Sequence, residues 1–517
     1  MQAPGAPTAA GAPASEPLPP PRLPAALEGL QQQRVDVVGI ASVEGAEMAR
    51  YLLAAGFTEV VGHDQQPDPE ALTRAHWLAH AGTRAEDRRP RLEAVLGGLA
   101  RLQLGREYLQ GVGEGKVVVP TQGWFLSPAN RPLEELRRAG HPFYSMIQAY
   151  LDLARGPVVG VTGSLGKSTT TAMTASVLRH SGRFPQVWLA GNDRHNQQAL
   201  LDVARDERGA SCLVLEISNR QLLQMDQAPR LACLTNITPN HLDEHGGLEG
   251  YLEAKRRIFD LPGCELAVRN GDDPLSLQLE LPEGLDELRF GFGEATLAGL
   301  DGAFAEGGSL RARQGGRAET VVEVRDLRLP GRHNLANALA ALATTVAALA
   351  PDQGWRPGAA RALAQFTTLR HRLELVWQAE GVDYYDDLSS TTPQSTVAAV
   401  RALGRSCVLI CGGDDKGIDF QELAALVEGA VPWVVLLPGA GGERLGAELA
   451  AGGKGPAVRP VADLGSAVGL ARELAEPGQA ILLSPACPGF FSAHYRQGGF
   501  RKAVRAATSP RRRRPSG

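Results

Sequence analysis

Eight short, continuously apolar runs constrain this chain more than any other feature: VDVVGI (35–40), VVVP (117–120), VVGVTG (158–163), CLVLEI (212–217), LACLTNI (231–237), CVLICGG (407–413), WVVLLPG (433–439) and ILLSP (481–485). Segments with helical patterning separate them. A strand apolar on both faces must be covered on both faces, so the pattern predicts parallel sheets sandwiched between helices, an α/β fold. At 517 residues the chain is long enough for about three domains at roughly 150 residues each. The runs divide it accordingly: a disordered Pro/Ala-rich extension at 1–33, a first α/β unit at 34–154, a second at 155–366 whose later part (264–330) reads as peripheral β-structure, a third at 367–508, and a basic tail, SPRRRRPSG, at 509–517.

Composition excludes several classes. Fifty-three basic against 57 acidic residues leave a net charge of −4, with no global footprint for nucleic acid. No run approaches the roughly 18 apolar residues that span a membrane, and the N-terminus lacks the basic and apolar regions of a signal peptide. The six cysteines are scattered, mostly within apolar runs, and read as reduced core residues. A cytoplasmic protein is expected.

The strongest local signal is VVGVTGSLGKSTTTAM (158–173): a buried strand, a Gly-rich turn and a helix in one register. Gly163 and Gly166 let backbone N–H groups face a phosphate, and the helix N-terminus adds its dipole. Lys167 is placed to reach β/γ-phosphates and the Ser168 hydroxyl to ligate Mg²⁺. The spelling departs from the general phosphate loop, which would carry glycine at Val161. Downstream, Glu216 ends an apolar strand, and His241 lies beyond the next one. In open α/β sheets ligands gather at the carboxyl ends of strands, so these groups are expected to share one crevice with the loop. GIASVEG, with Asp64 ending the following strand, has the layout of a second nucleotide site or of an ordinary strand–helix turn.

TGSLGKSTT, LEISNRQL, NITPNHLDEHG…YLEAKRRIF, LPGRHNLANALAAL, HRLELV, YYDDLSSTTPQST, CGGDDKGIDF and LLSPACPGFF occur in the order found in the Mur ligases, and over about 35–507 the chain resembles that family, closest to its glutamate-adding branch. The resemblance implies a Rossmann-like N-terminal domain for the uridine diphosphate, a P-loop ATPase-like central domain and a Rossmann-like C-terminal domain for the amino acid. It implies ATP-dependent ligation of glutamate, with D-glutamate the expected isomer, to UDP-N-acetylmuramoyl-L-alanine through an acyl phosphate, with ATP and Mg²⁺ as cofactors, in a cytoplasmic monomer. By the same resemblance Thr162, Gly163, Ser164, Gly166, Lys167, Ser168 and Thr169 cradle the ATP phosphates. Asn334 and Asn337 match adenine-side residues, and Arg372 and Asp387 match nucleotide contacts. Ser168, Glu216, His241 and Lys255 match groups around Mg²⁺, Lys255 as a carbamate; Lys167, His241 and Lys255 are the catalytic expectation. Asp64, Asn192 and Gln221 match the UDP-sugar side, Thr391 and Lys416 the amino-acid pocket. Leu165 replaces the family's asparagine, Ser389 a pocket lysine, and Gly489 follows Pro488 where the family has serine, leucine and aspartate after its SPAC stretch. These departures leave a different acceptor, such as L-glutamate, or a non-catalytic nucleotide-binding paralogue as alternatives. A folylpolyglutamate synthase is disfavoured by the α/β unit ahead of the phosphate loop.

Overall fold

A computed structural model describes residues 20–79, 85–192, 200–239, 242–329, 331–415, 417, 419–451, 456–489 and 499–508. Within them the chain forms three parallel-rich sheets. The first contains β1 (Val35–Val38), β2 (Val60–Asp64), β3 (Arg101–Leu104) and β4 (Val117–Pro120), in the order β3-β2-β1-β4 and all parallel. The central sheet contains β5 (Val158–Thr162), β6 (Val187–Gly191), β7 (Cys212–Glu216), β8 (Leu231–Leu234), β9 (Leu266–Asn270), β10 (Asp286–Phe292), β11 (Gly302–Glu306), β12 (Ser309–Gln314) and β13 (Arg317–Glu323). Its order is β13-β12-β11-β10-β9-β8-β5-β7-β6, all parallel except β12, which runs antiparallel to both β11 and β13. The third contains β14 (Glu374–Ala379), β15 (Val382–Asp386), β16 (Cys407–Gly412), β17 (Trp433–Leu437), β18 (Ala457–Pro460) and β19 (Ala480–Leu483), in the order β14-β15-β19-β16-β17-β18, with β14 antiparallel to β15.

The stretch expected as peripheral β-structure is therefore the outer part of the central sheet, because β9 pairs directly with β8. All eight apolar runs become strands with both faces covered. Residues 20–33, expected within a disordered extension, correct that reading. Leu27 is fully buried, the Arg22 guanidinium donates to the Leu153 and Val203 carbonyls, and the Tyr51 hydroxyl donates to the Arg22 carbonyl at 2.6 Å. Leu23, Leu27 and Leu30 anchor the segment against the core, a signal diluted by the Pro/Ala average over the longer stretch. Residues 1–19 and the basic tail 509–517 lie outside the described residues.

In the central sheet the chain leaves β5 towards β7 and β6 on one side, then crosses to β8 on the other. That reversal opens a crevice at the carboxyl ends of β5, β7 and β8. The helix Lys167–Ser181 starts there, rich in threonine and serine. Tertiary packing overrides its modest propensity: it lies against the helices Arg332–Leu349 and Arg356–Gln365. The first of these is alanine-rich and buried along most of its length, which suits a helix enclosed by neighbours. Apolar packing joins the first sheet to one face of the central sheet in a single cluster. The third unit has two clusters of its own. The six cysteines are free thiols, five of them buried. Among the described residues no helix is long and apolar enough to cross a membrane.

Candidate active site

The turn between β5 and its helix is held open by two glycines. Gly163 (φ 144°) lies so close to Thr235 that a Cβ would sit 2.0 Å from Oγ1, and at Gly166 (φ 82°) a Cβ would sit 2.2 Å from Asn337 Oδ1. Both positions also need a backbone that side chains strongly disfavour. Gly166 is the helix N-cap and no side chain caps that end, so the dipole and amides of the first turn point into the crevice, a fit for an anion. Ser164 N donates to the Asn236 carbonyl, Leu165 N to Asn236 Oδ1, and Thr235 Oγ1 to the Leu165 carbonyl at 2.7 Å. Thr235 and Asn236 thus clamp the loop. No motif assigns either residue a role; polar residues at the end of the apolar run LACLTNI are the signal that marks them. Asn236 also fixes the backbone of Leu165, where the family's asparagine is missing.

Two lysines meet on this loop. Lys167 Nζ donates to the Gly163 and Ser164 carbonyls, each at 3.0 Å. Lys255, on the helix Leu248–Asp260 capped by Gly247, reaches the same carbonyl of Gly163 at 3.0 Å and Thr162 Oγ1 at 3.1 Å. Burial lowers the Lys167 pKa, with the Glu216 carboxylate opposing and Arg372 reinforcing that shift. Lys255 is only 1% exposed. Burial first, and then the charge of Lys167, push its pKa well below the ordinary lysine value, against the pull of Glu216. Tyr251 lies beneath it, 5.4 Å from Nζ to the ring centroid, and its hydroxyl is hydrogen-bonded to Ser164 Oγ. Glu216, at the end of β7, is 3% exposed; Oε1 accepts from Asn192 Nδ2 at 2.8 Å, whereas Oε2 is buried with no hydrogen-bond partner among the described residues. An orphaned carboxylate oxygen, electrostatically coupled to the two lysines of a phosphate loop, fits a hard divalent cation.

A cleft opens beside the loop, lined by Leu165, Gly166, Thr169, Asn334, Asn337, Arg372 and Asp387 among others. Asn337 Oδ1 accepts from Thr170 Oγ1, which ties the cleft wall to the phosphate-loop helix. The opposite wall comes from the third unit. Arg372 Nη2 donates to Ser168 Oγ at 2.8 Å across the cleft. Left-handed backbone at His371 (φ 60°) and Leu373 (φ 48°) flanks this arginine, and His371 Nδ1 is hydrogen-bonded to Asp386 Oδ2 at 2.8 Å. Such backbone persists only where the surroundings hold it. Asp387 accepts from Leu373 N, Ser390 Oγ and Ser484 Oγ, yet burial pushes its carboxyl up to about 7.

The remaining expectations are distributed. Asn192 joins Glu216, as described. Gln221 is 1% exposed and forms a capping box with Ser218, its Nε2 donating to Glu44 Oε1, so its side chain is occupied within the protein. Asp64 accepts from Ala41 N and Gln66 N, joining the turns after β1 and β2. Thr391 is half-buried just before the helix Pro393–Leu403, and Ser389 N bonds the His371 carbonyl. At Gly489 (φ 83°) the backbone disfavours a side chain, and a Cβ 1.8 Å from Asp414 Oδ2 would have to displace that carboxylate. His241 and Lys416 lie outside the described residues.

Fold and loop together define an α/β protein of the phosphate-loop nucleotide-binding class. Residues 161–345 match the Mur ligase middle domain, and residues 371–487 match the Mur ligase glutamate ligase domain. The UDP-N-acetylmuramoylalanine–D-glutamate ligase of Symbiobacterium thermophilum is 35% identical over 461 residues, covering 89% of this chain and 94% of that protein. The enzyme of the same name from Geobacillus kaustophilus is 33% identical, covering 88% and 93%. The chain belongs to the Mur ligase family, whose members form amide bonds with ATP. Among solved structures, UDP-N-acetylmuramate-alanine ligase MurC from Thermotoga maritima shares the fold at a TM-score of 0.60 and 19% identity, covering 92% of this chain and 100% of that one. MurF from Thermotoga maritima in complex with ADP shares it at 0.54 and 18%, covering 94% and 98%.

Proposed function

We propose that this chain uses ATP to join the carboxylate of UDP-N-acetylmuramoyl-L-alanine to the amino group of D-glutamate, in the cytoplasm and as a monomer. The three units would serve the uridine diphosphate, the ATP and the amino acid in chain order. The observation that carries the reading is the convergence of Lys167, Ser168, Glu216 and the buried Lys255 on one phosphate loop, with Arg372 reaching in from the third unit.

The chemical problem is the meeting of two anions, the acceptor carboxylate and the γ-phosphate. Lys167, the loop amides and Arg372 supply positive charge where negative charge gathers. Ser168, Glu216, His241 and Lys255 are the residues that would hold Mg²⁺, which, when bound, shields the approaching anions and polarises the γ-phosphoryl group. The lowered pKa of Lys255 keeps a fraction of its amine neutral. A neutral amine adds CO₂ and releases one proton, giving a carbamate, and so turns a buried cation into a long carboxylate facing the loop. Once the acyl phosphate has formed, the amino group of glutamate attacks its carbonyl carbon. A tetrahedral intermediate then expels inorganic phosphate. Asn334, Asn337 and Asp387 line the cleft where the nucleoside would sit. The cleft closes between two units, which would protect the acyl phosphate from water. Asp64 and the helix opened by Ser42 support a diphosphate site in the first unit.

The test is phosphate release with UDP-N-acetylmuramoyl-L-alanine, ATP, Mg²⁺ and a panel of amino acids. D-glutamate-dependent release is expected. Release with another amino acid alone would reassign the acceptor, as the Ser389 and Gly489 departures allow; no release with any would leave a nucleotide-binding paralogue.

A further inference from the structure

A chain of hydrogen bonds runs from the first unit to the orphaned carboxylate. Glu44, on the helix Val43–Ala54, is buried and accepts from Gln122 N at 2.7 Å and from Gln221 Nε2 at 2.9 Å. Gln122 follows β4, and its carbonyl accepts from Gln224 Nε2 at 3.0 Å. Its side chain crosses into the central unit: Oε1 accepts from Ser218 Oγ at 2.6 Å, and Nε2 donates to Asn192 Oδ1 at 2.9 Å. Asn192 Nδ2 then donates to Glu216 Oε1 at 2.8 Å.

The two ends of this chain fix the direction of every bond in it. An ionised carboxylate only accepts, so Asn192 must turn its NH₂ towards Glu216 and its carbonyl oxygen towards Gln122. Gln122 must then present NH₂ to Asn192 and its own oxygen to Ser218. The Ser218 hydroxyl already accepts from Gln221 N at 3.1 Å, so its proton is available for Gln122. The consequence is local to Glu216. Oε1 is held by a donor whose orientation is set from the first unit, and Oε2 is left as the atom without a partner.

We propose that Gln122 is a positioning residue for the cation site: through Asn192 it holds Glu216 with one oxygen tied and the other presented to the divalent cation. Hydrogen bonds behind a ligand commonly set its orientation and are worth about 10–100-fold in metal affinity. Among the described residues the Gln122 side chain is hydrogen-bonded to Asn192 and Ser218, 70 and 96 positions away, and no motif marks it. The same chain makes the cation site sensitive to the seating of the first unit against the central one. This inference rests on the assignment of Glu216 as a cation ligand.

The experiment measures Mn²⁺ binding by electron paramagnetic resonance in the full-length protein with ADP present, alongside ADP binding in EDTA and the melting temperature. The variants are Gln122→Glu, Gln122→Met and Glu216→Gln. Gln122→Glu sets an acceptor against Asn192 Oδ1; Asn192 must flip, which turns its oxygen on Glu216. Its Mn²⁺ dissociation constant should rise about tenfold or more, and that of Gln122→Met by a smaller factor, with ADP binding in EDTA unchanged. Gln122→Met removes the link without adding charge, so it decides the matter if Gln122→Glu melts early. Unchanged Mn²⁺ binding in the folded Gln122 variants, with loss in Glu216→Gln, would overturn the inference alone. Unchanged binding in Glu216→Gln would overturn the cation assignment and the inference with it.

Discussion

At the scale of the residue, the site is a problem in burying charge. Lys167 and Lys255 bond the same carbonyl oxygen, that of Gly163, and the charge of Lys167 adds to burial in lowering the affinity of Lys255 for a proton. Lys167→Ala should reduce kcat by about 10²–10³-fold, the size expected when a charge-stabilising group is removed, at an unchanged melting temperature. Steady-state kinetics with a thermal melt checks this, and normal turnover would remove the loop from the mechanism. Lys255 also leaves a mark on stability. Its folded-state pKa lies below 10.5, so between the two values the unfolded chain binds more protons than the native one. Unfolding free energy therefore rises with pH across that window through this residue. Urea unfolding in CO₂-free buffer at pH 7, 8 and 9 should show the parent gaining on Lys255→Met as pH increases; parallel curves would contradict the shift.

At the scale of the element, what could be read in the sequence was what repeats along it. The eight apolar runs are strands because a run apolar on both faces has few other ways to be buried. Some strands outside that set carry polar or exposed residues, as do β3 (RLQL), β18 (AVRP) and the edge strand β14, whose Leu375 and Trp377 face solvent. The phosphate loop was legible because strand, turn and helix are contiguous. Glu216 and Lys255 were persuasive only beside a family pattern, since a carboxylate at a strand end and a lysine on a helix are ordinary features. The Gln122–Asn192–Glu216 chain was not legible, because its members meet only after two units pack. The loop also sets a limit on substitution. Gly166→Ala should cost about 1–3 kcal/mol in backbone strain, with further loss from the collision with Asn337, and should abolish ADP binding. Chemical denaturation and calorimetric titration measure the two effects, and wild-type ADP affinity would show that the turn does not carry the nucleotide.

At the scale of the molecule, the cleft is a joint between the central and third units. Arg372 and Ser168 are hydrogen-bonded across it, so the structure is drawn together there. Arg372→Ala should raise the KM for ATP and reduce the compaction that ATP produces in small-angle scattering. Equal compaction in the variant would place the closing contact elsewhere.

The division of the apolar clusters has a thermal consequence. One cluster fuses the first sheet to the central one, while the two beyond residue 371 stay within the third unit. A scanning calorimeter should therefore record two endotherms for this chain, not three or one. Adenine nucleotide, clasped from both sides, should bring the pair closer together.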